Sequence, residues 1–503
     1  MAEKSMKQYY GITFVIGLGF FTMGLMDPLY DTYVPMFLAN FLARDGLIGL
    51  IMGVDNLFAL MLIPIVSALS DKTRTPIGRR MPYIIVTLPL TAVFFGMLPG
   101  AALKSLAFLI VVIFFLNVFK QAARGPVVAL MPDIIPGEFR SEANGVINTM
   151  GGIAAITGTV VLARLYDVSI VLPVFGDTLI PVPGGRNPYI GTLPFLISAV
   201  LVVLATVLLF AFVRERSAAR SGSSGAEAGR LGAASGGAGA AEGAAEGGGQ
   251  SAGMVKGVPD EAGTRASEGA GGGGADHEER LPVFKSLKMV FGAEEKSALY
   301  ILIALLLWFI GYQGVLPWIG LYGVEYLGLK PGTSALSAGM VGIAYALFAI
   351  PSGVVAHRIG RKKTIRVSLV ALTGLTFLLY LHYPVTSGLG LSHTATFASF
   401  WALLFLFGIF WVSVVTNSFP MLWQMATFAN MGIYTGLYYF FSQGAGIIAP
   451  GITGGLRDLF GARIIFLAAA LCMLAAFLVM GMVRKGEVTD SAIEVSESRI
   501  QRK

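Results

Sequence analysis

Five ionisable side chains set in otherwise apolar runs are the residues of this sequence best equipped for chemistry: Asp27, Asp31, Asp55, Lys120 and Arg124. Asp27 and Asp31 stand four residues apart, so on a helix they share one face a turn apart, with Tyr30 beside them. Asn117, Lys120 and Arg124 step by three and four along a second segment. Three carboxylates against two bases leave one acid in surplus, and an acid that gains and loses a proton can couple that proton to another event. Asp27 is the first choice for that carboxylate and Asp55 the second. The same groups hydrogen-bond a hydroxyl-rich solute, each of whose polar groups needs a partner once it leaves water. The plainer alternatives are a permanent Asp27–Lys120 ion pair, and Asp31 and Asp55 lying among outer headgroups.

The elements that position these groups follow from composition. Of 503 residues, 55% are hydrophobic and 13% charged, against about 25% charged in a soluble domain. Runs of about 20 apolar residues are long enough to cross a bilayer core. They occur near 11–38, 47–69, 81–98, 105–131, 142–165 and 189–213, then near 298–323, 334–357, 364–383, 394–420, 430–450 and 463–483. The expected fold is an all-α membrane protein of twelve transmembrane helices in two six-helix bundles. An unpaired charge at mid-bilayer costs about 3 kcal/mol on insertion scales, so the few charges retained there read as functional. The second bundle has almost none. Its cavity candidates are Tyr312, Gln313, Asn417, Tyr434, Tyr438 and Gln443, with Tyr30, Asn117 and Asn148 in the first. Trp308, Trp318, Trp401 and Trp411 read as packing or interfacial anchors before sugar platforms.

A basic turn occurs twice at helix edges: Asp71-Lys72-Thr73-Arg74-Thr75-Pro76-Ile77-Gly78-Arg79-Arg80, and His357-Arg358-Ile359-Gly360-Arg361-Lys362-Lys363. Lys and Arg crowd these and alternate loops, which places that side, and both termini, in the cytosol. Asp71, Arg74, Gly78, Arg79, Arg80, His357, Arg358, Gly360 and Arg361 are therefore cytosolic-gate candidates. The net charge of +7 reads as juxtamembrane charge meeting lipid headgroups, with no nucleic-acid partner. The lone Cys472 excludes an intrachain disulfide and any cysteine-based metal cluster. The first helix is too long for a cleaved signal and is expected to be retained.

Residues 217–280 are largely Gly, Ala, Ser and Glu, too poor in apolar side chains to offset chain entropy, and read as a disordered cytosolic linker. Phe284, Leu287, Val290 and Phe291 then follow at helical spacing, suited to an inner-surface or plain linker helix. The domain plan is 1–216, a six-helix bundle; 217–280, linker; 281–485, a second bundle; and 486–503, a tail.

Asn144-Gly145 and Thr435-Gly436 open the fifth and eleventh segments, each followed at matched spacing by a Gly-rich stretch and then by Asp167 or Asp458. Two six-helix halves joined by a long loop resemble the major facilitator superfamily. That resemblance implies a midplane site lined by the first, second, fourth and fifth helices, between halves that rock against each other. The late Gly78, followed by Gly78-Arg79-Arg80-Met81-Pro82, is similar to the glycoside-pentoside-hexuronide cation symporters and the sucrose transporters. So are Arg124-Gly125-Pro126, Ala129-Leu130-Met131-Pro132-Asp133 and Arg140-Ser141-Glu142-Ala143-Asn144-Gly145. Against the sodium-coupled branch, the cation-binding aspartate positions fall on Ala59, Ile63 and Arg124, which implies that its sodium site is missing. Where sucrose transporters carry a fourth-helix arginine, this chain has Val128.

The resulting expectation is a monomeric cell-membrane transporter that moves a sugar or glycoside with a proton by alternating access, without cofactor or metal. A transporter or exporter of another polar solute is the alternative, and a membrane sensor a further one. No HExxH or GxSxG motif supports an enzyme. Because His357 replaces the acid of the first turn, the inner gate is expected to be asymmetric, with Asp71→Asn more damaging than His357→Asn.

Overall fold

The computed structural model describes residues 8–136, 139–173, 176–215, 290, 292, 295–425 and 431–484. The linker over 217–280, most of the segment from Phe284 to Phe291, and the tail over 486–503 lie outside the described residues.

The first half contains α1 (Tyr10–Ala39), α2 (Asp45–Lys72), α3 (Met81–Lys104) and α4 (Leu106–Ile134). Next come α5 (Arg140–Ile156), which runs through a π-helical turn (Thr157–Leu162) into α6 (Ala163–Leu165), and α7 (Leu193–Phe212). The second half contains α8 (Ser297–Gln313), α9 (Leu316–Glu325), α10 (Pro331–Ile359), α11 (Arg361–Gly388), α12 (His393–Trp423), α13 (Met431–Phe460) and α14 (Ile464–Gly481). With α5–α6 and α8–α9 each taken as one crossing, each half has six among the described residues. Eleven of these crossings are long and apolar enough to span a membrane by length and composition. The twelfth, α13, runs for 30 residues.

Three sequence expectations need correction. The segment placed near 189–213 starts as a helix only at Leu193, where Pro194 occupies the first turn and supplies no orphaned N–H. Tyr189–Gly191 instead forms strand β4, paired antiparallel with β3 (Leu179–Pro181), while β1 (Val171–Leu172) pairs with β2 (Gly176–Asp177). The loop between α6 and α7 is thus a pair of hairpins in a chain expected to be helical throughout. The segment near 298–323 is broken at Gly314–Val315, where Thr453 Oγ1 on α13 lies 2.7 Å from the Gly314 carbonyl.

Small residues set how closely the helices approach. Within the first half, a Cβ on Gly24 of α1 would lie 2.4 Å from the Gly151 carbonyl of α5, and one on Gly125 of α4 would lie 2.1 Å from Ser67 Oγ of α2. Between the halves, a Cβ on Gly49 would lie 1.9 Å from the Pro450 carbonyl, and on Gly53 2.3 Å from that of Ile447, which joins α2 to α13. A Cβ on Gly332 would lie 2.4 Å from the Ala163 carbonyl, which joins α10 to α6. These crossings repeat with the halves exchanged: the second helix of each packs on the fifth of the other. Both lie towards the face opposite the basic turns, called the far face below.

Candidate functional site

Five side chains from α1, α2 and α4 form a closed ring. Lys120 Nζ lies 2.8 Å from Asp55 Oδ2 and 3.2 Å from Asp27 Oδ1. Gln121 Nε2 donates to Asp55 Oδ1 at 2.7 Å, and Arg124 Nη1 donates to Gln121 Oε1 at 3.5 Å. Arg124 Nη2, 3.9 Å from Asp27 Oδ2, closes the circuit. The ammonium also sits 4.6 Å from the centre of the Tyr30 ring, whose hydroxyl accepts from Asn117 Nδ2 at 2.9 Å. Asp27, Asn117, Lys120, Gln121 and Arg124 are all buried. Charges this far from water persist only when paired, because stripping hydration costs several kcal/mol per ion.

The ring opens onto a cavity between the halves, lined from the first by Asp27, Asp31, Met52, Asp55, Asn56 and Arg124, and from the second by Gln313, Leu316, Pro317 and Pro450. The helix break at Gly314–Val315 brings Gln313 to this boundary. All three surplus-charge candidates therefore reach one space, with Lys120 behind them. Tyr30 and Asn117 support the ammonium from inside the first half, and Asn148 is buried on α5.

In the second half Tyr312 stacks on Trp411 at 4.2 Å, and Phe309 meets both Trp411 and Tyr438 edge-on. Tyr438 and Ser418 hydroxyls lie 3.3 Å apart, Asn417 Nδ2 donates to the Ser413 carbonyl, and Gln443 is buried with Oε1 unpartnered. Tyr434 is half-buried. Trp318 and Trp308 are core residues, and Trp318 Nε1 donates to Thr453 Oγ1.

The far face carries a set of charges that the sequence reading missed as a unit. Asp45 at the start of α2 pairs with Arg186 of the hairpin loop at 2.6 Å and with Arg457 of α13 at 2.7 Å. Glu325 at the end of α9 pairs with the same two arginines at 2.6 and 2.9 Å. Asp458 accepts from the Asp45 and Gly46 N–H groups at 2.7 and 2.9 Å, capping the first turn of α2 from the other half. Asp167 mirrors it, accepting from Gly332 N–H on α10 at 2.9 Å. The matched Asp167 and Asp458 of the repeat were the available signal. Burial opposes the charge on Arg186, but Asp45 and Glu325 outweigh it and hold the guanidinium above its ordinary range.

On the basic face the first turn is clamped inside its own half. Arg80 bonds Asp71 and, at 3.0 Å, Asp133, and Arg79 also pairs with Asp133. That bond is the main reason the Arg79 guanidinium lies above its usual range. Glu215 at the end of α7 accepts from the Arg80 and Met81 N–H groups at 3.0 and 2.9 Å, closing the start of α3. Gly78 has φ +111°, and a Cβ there would meet Glu215 at 2.4 Å. Gly360, its counterpart, has φ +93°, so both turns use a glycine in the left-handed region. Arg74, His357 and Arg358 are exposed, and Arg361 is half-buried.

The family model for the Major Facilitator Superfamily matches residues 12–450 and 327–500. Among solved structures the chain is similar to the nucleoside transporter NupG, with 11% identity, 94% of this chain and 100% of that chain covered, and a TM-score of 0.60. It is also similar to a bacterial homolog of the human lysosomal transporter Spinster, in an inward-facing and unoccupied conformation, with 12% identity, 95% and 96% coverage, and a TM-score of 0.61. At these identities the likeness speaks for the fold. A comparison with curated proteins gives no match. Two six-helix halves around a polar cavity and a family match over most of the chain identify an integral membrane transporter, not an enzyme, and the chain belongs to the Major Facilitator Superfamily.

Proposed function

We propose that this secondary transporter carries a sugar or glycoside together with a proton by alternating access, with the basic face and both termini in the cytosol of a cell-membrane protein. The observation that carries the reading is the surplus acid: Asp27, Asp31 and Asp55 line one cavity between the halves, against two bases, Lys120 and Arg124. Protonating one carboxylate neutralises the set, so the carrier loaded with solute and proton can cross between states without an uncompensated charge in low dielectric, and the proton is released with the solute before the empty carrier returns. Asp27 suits that role best. Asp55 has hydrogen bonds on both oxygens, whereas Asp27 Oδ1 has no hydrogen-bond partner and only the longer ion pair to Lys120. Carboxylates, Arg124, Asn56 and Gln313 together offer both acceptors and donors, as a polyol requires. In this reading the far-face lock keeps the outside closed while the cavity serves the cytosol.

The same surplus charge favours a second reading, in which a cationic polar solute replaces the proton and the two exchange. Proton direction separates the two. In sodium-free proteoliposomes offered a panel of sugars and glycosides, solute entry should alkalinise the medium. Uptake that requires sodium and ignores a pH gradient would sink the proposal, and acidification with a cationic solute would favour exchange.

A further inference from the structure

The ring around Lys120 has one member without charge, Gln121, which the stepwise pattern of Asn117, Lys120 and Arg124 passed over. It is 1% exposed. A carboxylate only accepts and a guanidinium only donates, so the amide standing between Asp55 and Arg124 has one workable orientation, nitrogen to Asp55 and oxygen to Arg124. The observed distances, 2.7 and 3.5 Å, have that arrangement. A hydrocarbon at this position would leave Asp55 one donor short, and a glutamate would set a second carboxylate against it.

The consequence falls on how the single ammonium is shared. With Gln121 on one oxygen and Lys120 on the other, Asp55 is held at both ends by contacts under 3 Å. Asp27 keeps 3.2 Å to Lys120 and 3.9 Å to Arg124, the second beyond hydrogen-bond range. The groups facing this carboxylate are Tyr30 and Asp31 on α1, Asp55 and Asn56 on α2, and Lys120 and Arg124 on α4. The second half contributes Gln313, Leu316, Pro317 and Pro450, which bear no charge.

We infer that Gln121 is a positioning residue for coupling: by committing Asp55 to a fixed pair with Lys120, it leaves Asp27 as the carboxylate that exchanges a proton. The inference rests on the proton-coupled reading above, and its test needs no solute. The full chain in proteoliposomes is acidified while the carboxylic C=O stretch is followed by infrared difference spectroscopy. The unaltered protein should show a buried carboxyl band that is missing in Asp27→Asn. In Gln121→Met, of similar length but without the amide, the band should grow to about twice that amplitude, one exchanging proton becoming two. Adding Asp55→Asn should remove the extra half. A Gln121→Met band equal to that of the unaltered protein, or a band in the unaltered protein that vanishes with Asp55→Asn instead of Asp27→Asn, would overturn the inference. If Gln121→Met fails to fold, Gln121→Asn, with the amide on a stem too short to reach Asp55, replaces it: the enlarged band is again expected, and an unchanged band again overturns the inference. Solute uptake that moves no proton would defeat the coupled reading, whereas a titration indifferent to position 121 defeats this inference alone.

Discussion

Asp27 and Asp55 meet the same ammonium in different surroundings, and that difference sets what each can do. Deleting a carboxylate held as Asp55 is, by two contacts under 3 Å, leaves the Lys120 and Gln121 donors without those acceptors, at a cost of about 1–3 kcal/mol. Deleting one that is loosely held costs less, because Lys120 keeps Asp55. Asp27→Asn is therefore expected to insert and fold, to lose uphill accumulation, and to retain exchange of labelled for unlabelled solute across proteoliposomes. An Asp27→Asn carrier that still concentrates solute would move the coupling role to Asp55 or Asp31. Asp55→Asn should cut thermal stability more than Asp27→Asn, as read by fluorescence-detected unfolding of the purified protein.

At the scale of the element, the two halves are joined by helix ends. Asp458 caps α2 and Asp167 caps α10, each from the opposite half, and Arg186 and Arg457 bridge the acids between them. A charged cap on a helix N-terminus combines a hydrogen bond with the helix dipole, and bonds to charged groups are worth about 1.5–3 kcal/mol each. In the proposed alternating-access cycle these contacts must break for the far face to open, so Asp458→Ala should shift the carrier toward the far-face-open state by about tenfold or more. Maleimide labelling of Leu316→Cys from the far side, in a Cys472→Ser background, measures the shift; unchanged labelling would remove Asp458 from the lock. The basic face should show the asymmetry expected from sequence. Both Asp71 and His357 are exposed, but Asp71 is bonded to Arg80 within a clamp that also holds Asp133 and Glu215. Asp71→Asn is thus expected to impair transport far more than His357→Asn, and equal loss would count against that asymmetry.

For the whole molecule, the glycine-lined crossings of α2 with α13 and of α10 with α6 are, in the proposed alternating-access cycle, the surfaces on which one half would roll against the other. Carbonyls stand within 2.4 Å of where a Cβ would be on Gly49, Gly53 and Gly332. Alternation then needs two stable packings of rigid bundles, not deformation of either. Residues 217–280 take no part in that account, and deletion of 220–278 should leave transport rates intact in a properly inserted protein. Complete loss of transport would assign the linker a gating or signalling role.

Sequence alone determined the crossings, the doubled turn and the charges worth following. Apolar length, positive charge at helix edges and the cost of a buried ion are properties of single segments, legible one segment at a time. Gly78 and Gly360 were legible as members of the doubled turn, and the structure adds that both take the left-handed region there. The helix break at Gly314–Val315 was not, because Thr453, which meets it, lies 139 residues along the chain, and the strand at Tyr189–Gly191 reads from sequence as part of the following apolar run although its partner β3 is close in sequence. The partners of Asp45, the sharing of Lys120 and the place of Gln121 were likewise decided by tertiary structure. Each depends on which side chains distant helices bring within about 3 Å, where a hydrogen bond either forms or does not.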